Sequence, residues 1–330
     1  MGLPVTWMGK ASRKILEIIS KLSGAESRDV VLGPHPCIDA GIEKVCGGYR
    51  VYSVDPTFSV PLRDLGYLAF CFSFADVAVV GGRPSLMINT ILLPADAEGG
   101  LEVEIARQLD EVARRYGVKI ITGHTGRYSC VREPVVVSTA IGFTKKPLTP
   151  DDVLDGDSLI LIRPLGSELL YSLANLRPDV MESVAASITV WSKSREELNA
   201  VDPALLMYGS GFASYMKDLA EGGLIRAIND LANLSGLGFE VVFEELPIPP
   251  ELIVLSEKFG FDPLAASSSG TVLAVVRSWK ADMALDFMRS RGFVARIIGK
   301  VLRKGRYLVR EGNRRPFPEK AEDPYAKVIG

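Results

Sequence analysis

Histidine is nearly absent from this 330-residue chain, with 2 in all, and the 4 cysteines form no CxxC pair. That excludes a thiol- or imidazole-rich zinc site and a disulfide scaffold. Charge of one sign is also missing, because 38 Lys plus Arg nearly cancel 40 Asp plus Glu. No sequence-wide basic field exists to hold nucleic acid. Mean hydropathy is +0.18, yet the apolar runs fall far short of the roughly 18 residues that span a bilayer. Met1 to Met8 lacks a basic segment leading into a long apolar stretch, so no secretory signal is read. The expectation is a cytoplasmic protein that contacts neither membrane nor nucleic acid. Walker P-loop, GxSxG, HExxH and kinase catalytic-loop motifs are all missing. Gly209-Ser-Gly-Phe-Ala-Ser214 lacks the final glycine and preceding strand of a dinucleotide fingerprint.

What is present is 47% apolar residues, enough for real cores, at a length of about two domains. Strand composition marks Val51–Val54, Leu86–Leu93, Lys119–Thr122 and Val135–Ile141. Leu101, Ile105, Leu109, Val112, Ala113 and Tyr116 make a helical stripe that stops near Gly117. Thr144-Lys-Lys-Pro-Leu-Thr-Pro150 breaks the composition, giving domains 1–147 and 148–330. The second repeats the grammar: strands at Ser158–Arg163 and Thr271–Val276, and a stripe of Leu224, Ala227, Ile228, Leu231 and Leu234 ending at Gly236. Basic residues after Val301 are mixed with acids and read as a solvated surface.

The most informative stretch is Gly66–Val80, a helix apolar nearly all round that carries Asp76, with Ser73 one turn before it on the same face. A buried carboxylate needs a salt-bridge partner such as Arg83, or a metal ion. Asp39 lies in a Gly- and Pro-rich segment ahead of a strand, and Asp55 follows the strand Val51–Val54, where open α/β sheets bind ligands. Acids without thiol or paired imidazole suit a hard cation such as Mg²⁺. Gly123-His-Thr-Gly-Arg-Tyr128 reads as a strand-end loop in which His124, Thr125 and Arg127 offer a proton carrier, a hydroxyl and a phosphate fork. His35, between two prolines, reads as structural. Asp218 and Glu221 precede Gly222 and Gly223, whose backbone N–H groups at a helix start would face an anion.

In order along the chain, these segments resemble the AIR synthase (PurM-like) superfamily, which includes HypE, selenophosphate synthetase and thiamine-monophosphate kinase. Ile38-Asp-Ala-Gly41 resembles its Asp-Asp-Ala-Ala segment, and Val54-Asp-Pro-Thr-Phe58 its Thr-Thr-Asp strand end. Ala75-Asp-Val-Ala-Val-Val-Gly-Gly-Arg-Pro84 resembles the Asn-Asp-Leu-Ala…Gly-Ala-Arg-Pro helix, and Ile121-Thr-Gly-His-Thr125 the Gly-Gly-Asp/Glu-Thr loop. Asp155-Gly-Asp-Ser-Leu-Ile-Leu161 is similar to the Pro-Gly-Asp strand. Lys217-Asp-Leu-Ala-Glu-Gly-Gly-Leu224 is similar to His-Asp-Pro-Thr-x-Gly-Gly-Leu, and Phe261-Asp-Pro-Leu264, Ser268-Ser-Gly270 and Ile298-Gly-Lys-Val301 complete the series.

The resemblance implies an α/β (α+β) two-domain fold, with an N-terminal domain that dimerises through its sheet, an α/β C-terminal domain and Mg-ATP in the cleft. It implies an enzyme that phosphorylates and so activates a small-molecule substrate, or else a homodimeric nucleotide-binding assembly protein without turnover. Asp39, Asp76 and Asp218 would hold Mg²⁺, with Asp55 alongside. Gly123, Thr125, Arg127, Gly222 and Gly223 would contact the nucleotide or substrate, and His124 and Asp76 would be catalytic. A maturation-partner protein is also implied. No cysteine follows Cys130 and none precedes Val31, which sets the chain apart from HypE's C-terminal cysteine chemistry and from selenophosphate synthetase. Ala75 replaces the family's Asn and His124 its acid, so altered phosphate coordination is expected in a HypE-like protein with its own substrate.

Overall fold

In the computed structural model, which describes residues 11, 13–185, 194–320 and 322–329, a short helix α1 (Arg13–Ile19) precedes strands β1 (Val30–Leu32), β2 (Gly41–Val45) and β3 (Gly48–Thr57). Exposure alternates along β3, so Val51, Ser53, Asp55 and Thr57 share the inward face. Helix α2 (Leu65–Val79) packs on that face, followed by β4 (Arg83–Pro94), α3 (Leu101–Tyr116), β5 (Lys119–Tyr128) and β6 (Val135–Thr144). The sheet order is β1-β2-β3-β6-β4-β5, antiparallel except for β4 and β5. Leu68, Phe70 and Phe74 of α2 are fully buried, each worth about 2–3 kcal/mol of apolar transfer. The amphipathic stripe of α3 buries Ile105, Leu109, Val112 and Ala113 and ends at Gly117, as its spacing predicts.

The second half comprises β7 (Ser158–Ile162), α4 (Ser167–Leu176), α5 (Pro178–Ala185), α6 (Val201–Ser210), β8 (Ala213–Asp218), α7 (Gly223–Ser235) and β9 (Gly238–Val242). It continues with α8 (Pro250–Phe259), β10 (Val272–Val276), α9 (Ala281–Ser290), β11 (Ala295–Leu302), β12 (Arg306–Arg310), β13 (Asn313–Pro316) and α10 (Tyr325–Ile329). Its sheet runs β13-β12-β9-β11-β7-β10-β8. Ile160 and Ile162 of β7 point into the core that contains α2, while Leu159 and Leu161 point into a second core with α4, α7 and α8. Covered on both faces, β7 after Ser158 and the whole of β10 are continuous apolar runs.

The composition break at 147/148 lies between the two sheets, but the apolar core does not stop there, because α6 packs on α2. Polar contacts join the halves as well: Arg115 pairs with Glu196 and Asp202 at 2.9 Å each, and Arg195 meets buried Asp64 at 2.9 Å.

Two local expectations are corrected. Gly123–Tyr128 is the second half of strand β5, paired in parallel with β4, rather than a loop. Asp55 lies inside β3 rather than after it. The segment read for a secretory signal lies outside the described residues.

Candidate functional site

The turn before β2 is fixed by a bridge between His35 and Ile38 and by the Cys37 N–H, which donates to His35 Nδ1 at 3.2 Å. His35 is structural, and the turn presents Asp39. Asp76 stands in the last turn of α2 and Asp218 ends β8. One carboxylate oxygen from each lies within 4.8 Å of the others. The donors are carboxylate oxygens alone, the set that suits a hard divalent cation.

Asp76 is 6% exposed and accepts a hydrogen bond from Ser53 Oγ at 2.6 Å. Ser53 thus takes the place of Arg83, considered from sequence as its partner. The Ser73 hydroxyl instead turns back to Ala69 O at 2.9 Å and Phe70 O at 3.2 Å. Burial, then the charges of Asp218, Asp55 and Asp39, push the Asp76 carboxyl well above the usual carboxylate range, against the Ser53 bond. A cation among these acids would relieve that repulsion.

Sequence reasoning assigned no role to Lys217, a residue that answers part of this charge. Its Nζ lies 2.7 Å from Asp39 Oδ2, and its side chain is 10% exposed. Burial alone would lower the ammonium's pKa, but Asp39, Tyr215, Asp218 and Asp230 outweigh it and hold it well above the usual lysine value. The signal available in sequence was a lysine inside a strand whose neighbours, Tyr215 and Met216, are core residues.

These groups open into a cavity of about 620 Å³ between the halves, lined by Asp39, Asp55, Thr57, Ala75, Asp76, Lys217 and Asp218 on one side. Glu168, Glu221, Gly223, Arg226, Ser269 and Tyr325 line the rest. The Thr57 hydroxyl, on a residue 2% exposed, has no hydrogen-bond partner among the described residues, as a polar atom reserved for a ligand would be. Gly223 has φ +53, and a Cβ there would lie 2.6 Å from Ala266 O, so only glycine fits. The Gly222 N–H is already used: it donates to Asp323 Oδ2 at 2.7 Å, a carboxylate where the sequence pointed to an external anion.

The β5 residues lie elsewhere. Gly123, His124, Thr125 and Arg127 do not line the cavity within one chain. His124 Nε2 is 2.6 Å from the Tyr128 hydroxyl. Arg127 ties β5 to the segment before α3 through Glu98 O at 2.9 Å and to α3 through Glu102 at 2.8 Å.

Two mixed sheets with a carboxylate-lined cleft between them define a two-domain α/β architecture of the AIR synthase kind. The profile described as "AIR synthase related protein, N-terminal domain" matches residues 39–144, and that of the C-terminal domain matches 155–310. The chain belongs to the AIR synthase related family. It is 29% identical over 261 residues to carbamoyl dehydratase HypE of Rhodobacter capsulatus, covering 76% of this chain and 73% of that protein. Among solved structures, a HypE–HypF complex superposes with a TM-score of 0.76 at 20% identity, over 94% of this chain and 100% of that one. A HypE in complex with ATP gives a TM-score of 0.71 at 20% identity, over 87% and 89%. The likeness in structure shows the fold.

Proposed function

We propose that the chain is an ATP-using, Mg²⁺-dependent enzyme that phosphorylates a small molecule and so activates it, working in the cytoplasm as a homodimer. The observation that carries this reading is the convergence of Asp39, Asp76 and Asp218, from three separate elements, at one end of a ligand-sized cavity. Its support is the HypE relative, a carbamoyl dehydratase, and the ATP complex of a HypE with the same fold.

Asp39, Asp76 and Asp218 are the residues that would hold Mg²⁺, with Asp55 beside them. Bound there, the cation supplies charge neutralisation to the transferring phosphoryl group. Lys217, reaching from the C-terminal half, steadies Asp39 and adds fixed positive charge beside it. The buried Ser53 hydroxyl orients Asp76, and the unpartnered Thr57 hydroxyl is free to donate to an oxygen of the bound substrate.

The dimer rests on the outer face of the first sheet, where Val54 is 59% and Phe143 38% exposed. A protein partner is proposed from the HypE–HypF complex. A second reading, a nucleotide-binding assembly protein without turnover, is favoured by Ala75, which lines the cavity where the family carries Asn.

Calorimetry of Mg-ATP binding to wild type and Asp76→Asn, with ADP release followed in the same samples, tests the proposal. Binding that requires Mg²⁺ and is lost in Asp76→Asn is expected, with ADP release selecting the enzyme over the assembly protein. A folded wild type that binds no Mg-ATP overturns the assignment.

A further inference from the structure

Transfer to a hydroxyl or amide releases a proton, and within one chain His124 is not in the cavity to receive it. Asp39, Asp76 and Asp218 face the cation position, while Lys217 and Arg226 are cations. Glu168 is different. It sits in the first turn of α4, lines the cavity, and accepts a hydrogen bond from Ser269 Oγ at 2.6 Å. No cationic side chain among the described residues forms an ion pair with it.

The scaffold around Glu168 is tied to the carboxylate end. The Gly166 N–H donates to Ser268 Oγ at 2.7 Å, and Ser167 Oγ donates to Ser269 O at 2.9 Å, fixing the start of α4 on segment 266–271. That segment is in turn bonded to the residue after Asp218: the Leu219 N–H donates to Thr271 O at 3.0 Å, and the Ser268 N–H to Leu219 O at 3.1 Å. Val272, which follows, is in register with Asp218. One rigid frame therefore positions both the Glu168 carboxyl and the third metal-site carboxylate.

We propose that Glu168 accepts the proton of an uncharged hydroxyl or amide acceptor bound against α4, an inference that rests on the phosphoryl-transfer reading above. The acceptor atom forms the new bond to phosphorus as the bond from that phosphorus to the bridging oxygen breaks. The electron pair of the broken bond leaves on ADP, and the acceptor's proton passes to Glu168.

The acceptor class follows from charge. The titratable groups facing Glu168 are Glu221 from the β8–α7 turn, Asp323 from the segment before α10, and Tyr325 of α10. Arg226, a cation that lines the cavity, lies 3.8 Å from Asp230. A phosphorylated or carboxylate acceptor meets repulsion here, whereas a neutral hydroxyl or amide does not. The helix N-terminus and the Ser269 bond favour the ionised form. Burial, with Asp323 and Glu221, outweighs them and pushes the Glu168 carboxyl up to about 7, where a general base works near neutrality.

The test begins on the nucleotide-free full chain, labelled with ¹³C in its glutamate carboxyls and titrated by NMR. One carboxyl titrating near pH 7 and missing in Glu168→Gln is expected, and Ser269→Ala moves that midpoint further up. ADP release from Mg-ATP is then measured with acetamide, ethylene glycol or ribose 5-phosphate as probe acceptor. An uncharged probe stimulates release with a rise through neutral pH, and Glu168→Gln lowers the stimulated rate about 100-fold, the low end of general-base effects, without changing Mg-ATP affinity. The proposal is overturned if every glutamate titrates in its ordinary range, if the titration near neutrality survives in Glu168→Gln, if Glu168→Gln keeps the full rate, or if neither uncharged probe stimulates. Loss of Mg-ATP binding by wild type sinks the phosphoryl-transfer reading itself. Normal binding with an indifferent Glu168→Gln sinks the base alone.

Discussion

The two walls of the cavity are built differently. The N-terminal wall brings Asp39, Asp55 and Asp76, acids from a turn, a strand and a helix, with no cation among the described residues that line it. The C-terminal wall is mixed: Lys217 stands beside Asp218, and Arg226 and Glu168 line it as well. Burial first, then Asp218 of the other wall and Asp55 and Asp39 of its own, raise the Asp76 carboxyl, so the first wall needs compensation for its acids. Its compensation comes from the other half of the chain, through the Lys217–Asp39 contact. The site is therefore a property of the contact between halves, and its electrostatics and the docking of the domains are coupled.

Removing that compensation is the strongest way to break the contrast. Lys217→Met removes a fixed cation that stands 2.7 Å from Asp39. Stranding one partner of a buried pair costs about 3–5 kcal/mol, and Asp39, 25% exposed, places the expected loss near the lower end. Urea unfolding followed with and without Mg²⁺ checks it: the midpoint falls, and Mg²⁺ recovers part of the loss. An unchanged midpoint would mean that the acidic wall tolerates its own charge.

A smaller effect is expected where the C-terminal wall is fixed by backbone shape. Gly223→Ala puts a Cβ 2.6 Å from Ala266 O and 2.7 Å from Leu264 O, at φ +53. The cost is about 2 kcal/mol, in the range of substitutions at positions with special backbone geometry. The displaced segment leads into the Ser268–Ser269 pair beside Glu168, so the Glu168 titration shifts with the stability loss. Wild-type stability in this variant would show a wall that yields easily.

Much of this contrast is legible in sequence, and the rest fails for identifiable reasons. A lone Asp76 in an all-apolar helix announces itself, because a buried carboxylate must be compensated. The stripes of α3 and α7 predict both helices and their ends. The first part of β5, Lys119–Thr122, is legible as a strand, but its continuation was hidden because Gly123, Thr125 and Gly126 resemble turn chemistry. In the fold, parallel pairing with β4 overrides that local preference, and Gly123 leaves room for Asn89, whose carbonyl would lie 2.5 Å from a Cβ there. The strand read as Val51–Val54 in fact runs on through Pro56 to Thr57. Strand β2 pairs with β3 only from Gly48 to Tyr52, so on that side Pro56 stands at an edge where its missing N–H costs nothing. Lys217 and Glu168 were illegible because their partners are remote: Asp39 is 178 residues from Lys217, and Ser269 is 101 residues from Glu168.

The mildest prediction concerns Asp323, which brings the C-terminal segment to the mixed wall. Its Oδ2 accepts from the Gly222 N–H at 2.7 Å and from Ser267 Oγ at 2.5 Å, and its Oδ1 accepts from the Tyr325 N–H at 2.9 Å. A carboxylate in this place satisfies the start of α7 as an N-cap does, so Asp323→Ala costs about 1 kcal/mol. The same substitution removes one of the acids that raise the Glu168 carboxyl, so that group then titrates at lower pH. It also frees the Gly222 N–H at the helix start, where an anion is favoured. Inorganic phosphate is therefore expected to raise the thermal midpoint of Asp323→Ala and to leave that of wild type unmoved. Equal stabilisation of both by phosphate would show that Asp323 does not fill the anion position, and that the two walls differ less in their readiness for phosphate than their charges imply.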